Sequence, residues 1–170
     1  MRKTAGAALL LALGMVCVAG PAPAAQVVVT KMDKNADGST TYHFAVKTDK
    51  GEVLSPDSDF VTVYNFGGLV EGSAKAPAGW EFSSEEFGKT PTWNGYPAVL
   101  PVDIPGLSNL TWTARKPIPG GAEIGGFSVT TRASGVTEGE YSAQVTRQDG
   151  GRASKQAIIG SLQTPAFAAQ

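Results

Sequence analysis

The feature that most constrains the fold of this chain is apolar alternation with a period of two, recurring in one segment after another with almost no window of helical spacing. Val27 and Val29 alternate with Val28 and Thr30, and Tyr42, Phe44 and Val46 alternate with His43, Ala45 and Lys47. In the run Phe60 to Phe66, the residues Phe60, Thr62, Tyr64 and Phe66 fall on one side and Val61 and Val63 on the other. Leu110, Trp112 and Ala114, then Phe127 and Val129, then Tyr141, Ala143 and Val145 repeat the pattern, and a last strand is expected from Lys155 to Leu162. Side chains two apart share a face only in an extended chain, and the β-branched and aromatic residues here favour that conformation. The 21 glycines and 11 prolines are spread through the chain, as expected where many short strands are joined by turns. The expectation is an all-β, two-sheet immunoglobulin-like sandwich of about seven to nine antiparallel strands.

Turn chemistry supports hairpins at two places. Asp33-Lys34-Asn35-Ala36-Asp37-Gly38 separates the first two strands, and Asp149-Gly150-Gly151 precedes the last. Between Glu71 and Pro105 the pattern breaks down. Five prolines (77, 91, 97, 101 and 105) share this span with Trp80, Phe82, Phe87, Trp93 and Tyr96, and only Trp80 to Ser83 reads as a short strand. A long aromatic loop is either packed down by its own side chains or used for binding, and both readings stay open.

The first residues carry an export signal. Arg2 and Lys3 precede an apolar run from Ala5 to Ala19, and Ala22-Pro23-Ala24 supplies the small residues that a leader peptidase accepts. Residues 1–24 are read as a signal peptide and 25–170 as one β-sandwich domain of roughly 145 residues, a size that supports a single core. The one cysteine, Cys17, lies in the leader and follows Val16, which does not fit a lipidation site, so the remaining chain is expected to have neither disulfide nor lipid anchor. No later run is long enough to span a bilayer. The formal net charge of −1 falls to −3 when Arg2 and Lys3 are removed, and no basic cluster remains to neutralise phosphates, which argues against nucleic acid as a partner.

Catalytic and metal chemistry find few candidates. Asp33, Asn35, Asp37 and Gly38 match the first half of a calcium loop, but the closing carboxylate position is Phe44, and a polar hairpin turn accounts for the same residues. His43 is the only histidine, too few for a zinc or copper site or for a serine triad, and no serine stands in a Gly-x-Ser-x-Gly context. Asp57 with Asp59, or Glu85 with Glu86, are the paired carboxylates available to a hydrolase, all in expected loops. No cofactor is called for. Trp112 is expected in the core beside Leu110 and Ala114, and Trp80 likewise. Trp93, Asn94 and Tyr96 lie among polar and glycine neighbours, so an exposed aromatic pair there, with Asn94 and Glu85 or Glu86 bonding to hydroxyls, would be a platform for sugar rings.

The run Asp59-Phe60-Val61-Thr62-Val63-Tyr64-Asn65-Phe66-Gly67-Gly68-Leu69-Val70, with Ala76-Pro77-Ala78-Gly79-Trp80 after it, resembles a group of uncharacterised exported bacterial proteins. Asn109-Leu110-Thr111-Trp112-Thr113 and the turn Arg147-Gln148-Asp149-Gly150 agree with later landmarks of that group, so the likeness covers most of the chain after the leader. Many members carry a Pro-Glu-Pro sorting tail, whereas this chain has Thr164-Pro165-Ala166-Phe167 near its end, which implies release into the periplasm or medium. The resemblance assigns no catalytic residue. The function expected from the sequence is a secreted non-catalytic module for interaction or structure at the cell envelope, with an unknown protein or glycan as partner. A carbohydrate-binding module and a hydrolase using loop carboxylates are the alternatives.

Overall fold

The computed structural model describes residues 24–93, 95–98 and 101–166, so all of the expected leader except Ala24 lies outside the described residues. The described chain is all β. A three-stranded sheet has the order β1 (Gln26–Lys34), β2 (Thr40–Lys47), β9 (Glu123–Thr131). A larger sheet runs β11 (Arg152–Pro165), β10 (Val136–Asp149), β4 (Phe60–Phe66), β8 (Ser108–Ala114), β5 (Trp80–Glu85), with the short β3 (Glu52–Val53) also paired to β10. A separate two-stranded ribbon joins β6 (Thr92–Trp93) to β7 (Tyr96–Pro97). All pairings are antiparallel. Strands β2 and β9 sit together in one sheet while β4, β10 and β11 sit together in the other, which is the immunoglobulin-like division of strands. The eleven strands among the described residues exceed the expected seven to nine because β3, β6 and β7, of two residues each, are too short to show a periodicity.

The inward faces follow the alternation. Tyr42, Phe44 and Val46 of β2 and Phe127 and Val129 of β9 meet Leu110, Trp112 and Ala114 of β8 and Tyr141, Ala143 and Val145 of β10 in one buried cluster. Aromatic pairs cross between the sheets: Phe44 to Trp112 at 5.7 Å, Trp80 to Phe127 at 4.9 Å edge-on, and Tyr42 to Phe66 at 5.7 Å edge-on. The turn at Gly150-Gly151 has positive φ at both residues, 56° and 84°, which a mirror-image hairpin turn requires and glycine supplies without strain. The strand after it is longer than expected, paired with β10 from Arg152 to Pro165.

Strand β4 keeps its expected alternation except at Phe66. Val61 and Val63 point into the core, and Phe66 joins them, whereas Phe60, Thr62 and Tyr64 lie on the opposite side. The register to β8 shifts between Val63 and Phe66, where Asn65 takes a φ of 53°. A bulge adds one residue and so reverses which face the next side chain occupies, and asparagine tolerates the left-handed conformation better than most residues. Phe60, Thr62 and Tyr64 are nevertheless all buried, because the outer face of the large sheet is covered. That cover is the long irregular segment.

Candidate binding surface

The described residues between Glu86 and Pro105 form a strap laid across the outer face of the large sheet. Outward-facing Thr62 and Thr111 bond to each other at 2.8 Å beneath it, and Ser142, Gln144 and Thr146 of β10 continue the polar row. Tyr64 reaches up from β4: its hydroxyl donates to the Lys89 carbonyl at 3.2 Å and lies 3.0 Å from Ser142 Oγ. Gly88 rests on the Tyr64 ring so closely that a Cβ would meet it at 2.0 Å, so any side chain there lifts the strap. Lys89 Nζ stands 4.6 Å above the Phe60 ring, a cation–π contact.

Two asparagines pin the ends of the strap. Asn109 Nδ2 donates to the Glu86 carbonyl at 2.7 Å and to Asp103 Oδ1 at 2.8 Å, and Asp103 Oδ1 also accepts from the Gly88 amide. At the bulge, Asn65 Nδ2 donates to the Val102 carbonyl at 2.9 Å and Asn65 Oδ1 accepts from the Ile104 amide at 2.8 Å. Sequence reasoning missed Tyr64, Asn65, Asn109 and Gln144 as anchors. For β4 the available signal was a strand with aromatics on one side and valines on the other, since a strand buried on both sides loses its polar side.

Of the two open readings of the irregular span, packing against the protein holds for most of the described strap. The strap is packed, yet its ribbon holds Trp93 and Tyr96 out into solvent, 61% and 77% exposed. The two are directly opposed across the ribbon. Thr92 ties the ribbon down: its amide and hydroxyl both donate to Gln144 Oε1, at 2.8 and 3.2 Å, while Gln144 Nε2 donates to the Ser58 carbonyl. The Ala98 amide closes the ribbon onto the Pro91 carbonyl at 3.0 Å. A fastened base and an exposed aromatic tip make a surface presented at little ordering cost. The expected hydroxyl partner Asn94 lies outside the described residues.

The other candidates are placed as follows. Asp57 and Asp59 part company, as Asp57 is exposed and pairs with Arg115, which also binds Glu81, while Asp59 is fully buried. Asp59 accepts from the Ser55 amide at 2.7 Å, from Thr146 Oγ1 at 2.8 Å and from Lys155, which itself reaches Ser58 Oγ and Thr146 Oγ1. This network joins the start of β4 to β10 and β11. Glu85 and Glu86 lie with Glu71 along an open groove of about 720 Å³ whose floor includes Phe66, Leu69 and Phe82. All three glutamates are exposed.

At the β1–β2 turn, Asp33, Asn35 and Asp37 are engaged separately. Asp33 pairs with Lys31 at 2.8 Å and with His43 Nε2 at 3.0 Å across the strands, and these bonds, Lys31 first, hold its carboxyl below the usual range. Asn35 Nδ2 donates to Ser39 Oγ and Thr41 Oγ1. Asp37 Oδ1 accepts from the hydroxyl and amide of Ser39, at 2.6 and 3.1 Å, which lowers its pKa and closes a side-chain turn. Among the described residues, no three His, Cys, Asp or Glu side chains are grouped to hold a metal ion.

Fold and surface together define an immunoglobulin-like β-sandwich carrying an aromatic-tipped strap. No protein-family model matches the chain, and no curated protein sequence matches it.

Proposed function

We propose that this chain is an exported, non-catalytic module that binds a carbohydrate polymer at or outside the cell envelope through Trp93 and Tyr96. The observation that carries the reading is the exposure of both rings on a ribbon whose base is hydrogen-bonded to the sheet. A monomer gains nothing from holding two large aromatics in water, whereas sugar rings stack on flat aromatic faces. A protein partner is the second reading, favoured by Phe87 and Val102, which are exposed on the same strap at 71% and 81%.

The test is sedimentation of the protein with insoluble polysaccharides such as cellulose, chitin and cell-wall peptidoglycan, alongside the variants Trp93→Ala and Tyr96→Ala. Binding to one polymer that falls at least about tenfold in each variant is expected, the scale of one lost stacking contact of ~1.4 kcal/mol. Binding that is absent for all polymers, or equal in the variants, overturns the carbohydrate reading. Folding of both variants is checked by circular dichroism.

A further inference from the structure

Glu52 is among the most deeply buried side chains of the molecule, 1% exposed, and it is a carboxylate. Its Oε2 accepts from the Asp49 amide at 2.9 Å, and its Oε1 faces the backbone nitrogen of Ala25 at 3.4 Å. Among the described residues no lysine, arginine or histidine pairs with it, although Asp59, the other fully buried acid, is paired to Lys155. A buried carboxylate served only by two amides is costly, and proteins ordinarily offset that cost with a cation. Ala25 is itself 1% exposed, whereas Ala24 before it is exposed, so the chain passes from solvent into the core at this one residue.

The backbone nitrogen facing Glu52 is also the one that leader removal would free. Hydrolysis of the Ala24–Ala25 bond adds water: hydroxyl goes to the Ala24 carbonyl carbon, and the Ala25 nitrogen leaves, gaining protons to become an ammonium. We propose that Glu52 is the socket for this new N-terminus, so that processing after Ala24 creates the cation that completes the core. The inference rests on the reading that the chain is exported and its leader removed. It selects Ala25 as the first residue where the small-residue motif alone allows cleavage after Ala24 or Ala25. It also gives processing a consequence for stability, because a neutral amide at 3.4 Å is replaced by a charge-assisted pair in a site shielded from water.

The experiment has two parts. The N-terminus of the protein recovered from the periplasm or medium is determined by mass spectrometry, and Ala25 is expected. A different first residue, Ala24 or Gln26, overturns the socket while leaving export intact, and a chain retaining its leader overturns the export reading itself. Separately, purified chains beginning at Ala25 and at Ala24 are melted with and without Glu52→Gln. The Ala25 start is expected to melt higher by roughly 5 °C, the scale of one charge-assisted contact in a chain of this size, and Glu52→Gln should erase the difference. Equal melting of the two starts with Glu52 present overturns the proposal, and this comparison remains decisive if Glu52→Gln does not fold.

Discussion

Replacing Trp112 by alanine should be among the most damaging single truncations in the chain, while the same change at Trp93 should be close to silent. Trp112 is 1% exposed and its ring contacts Phe44 across the core at 5.7 Å, Phe82 at 5.4 Å and Phe127 at 5.7 Å. Truncating a buried tryptophan costs about 3–5 kcal/mol through lost transfer energy and the cavity left behind. The indole Nε1 donates to the Lys75 carbonyl at 3.2 Å, but that carbonyl also accepts from the Ser128 amide, so no orphaned acceptor adds to the loss. With an unfolding entropy of about 2.1 cal/mol/K per residue over roughly 140 residues, a loss of ~4 kcal/mol lowers the melting temperature by about 14 °C. Trp93, 61% exposed, should change stability by less than about 0.5 kcal/mol. Urea and thermal melts followed by far-ultraviolet circular dichroism read both variants without relying on the fluorescence that the substitutions remove. Equal losses would show that Trp93 is packed against protein and would withdraw the binding platform. A loss below ~1 kcal/mol for Trp112→Ala would refute the inter-sheet core.

Lys155→Met leaves the fully buried Asp59 without its cation and should cost about 3 kcal/mol, the low end for breaking a buried pair because the lysine is partly exposed. The urea midpoint measures this, and adding Asp59→Asn should recover part of the loss. The alkaline limb of stability should be steep, since burial raises the phenol pKa of Tyr42, Tyr64 and Tyr141 above 10.0 in the folded state. Their contribution is whole below the unfolded pKa and is lost as pH rises through the higher folded value. Tyr64→Phe should therefore flatten the fall in urea midpoint above about pH 10, even though losing its hydroxyl bonds lowers the midpoint at neutral pH by the equivalent of about 1 kcal/mol. An unchanged alkaline slope in this variant would contradict the burial of Tyr64.

What the sequence determined alone was whatever depends on neighbours along the chain. Side chains two apart share a face in an extended strand, so the inward sets Tyr42-Phe44-Val46, Leu110-Trp112-Ala114 and Tyr141-Ala143-Val145 were legible from their spacing. The Gly150-Gly151 hairpin was legible from turn chemistry, as was the β1–β2 turn in which Asp37 closes on Ser39. The tertiary structure decided what depends on residues distant in sequence. Phe66 changed sides because a bulge at Asn65 inserts one residue, and a local alternation pattern cannot register an insertion that pairing with β8 defines. Which side of β4 faces the other sheet was also decided by packing, since the spacing put Phe60, Thr62 and Tyr64 opposite Val61 and Val63 and both sides carry residues fit for burial. The ribbon that carries Trp93 and Tyr96 is fastened by Thr92 bonding to Gln144, a contact spanning 52 positions that no local pattern signals. Nothing beside Glu52 in the sequence marks it out, and only folding brings Ala25, 27 positions away, against its carboxylate. Such contacts form only after loops close and water is expelled, and burial then gives a single charge or ring a meaning that its sequence neighbours do not carry.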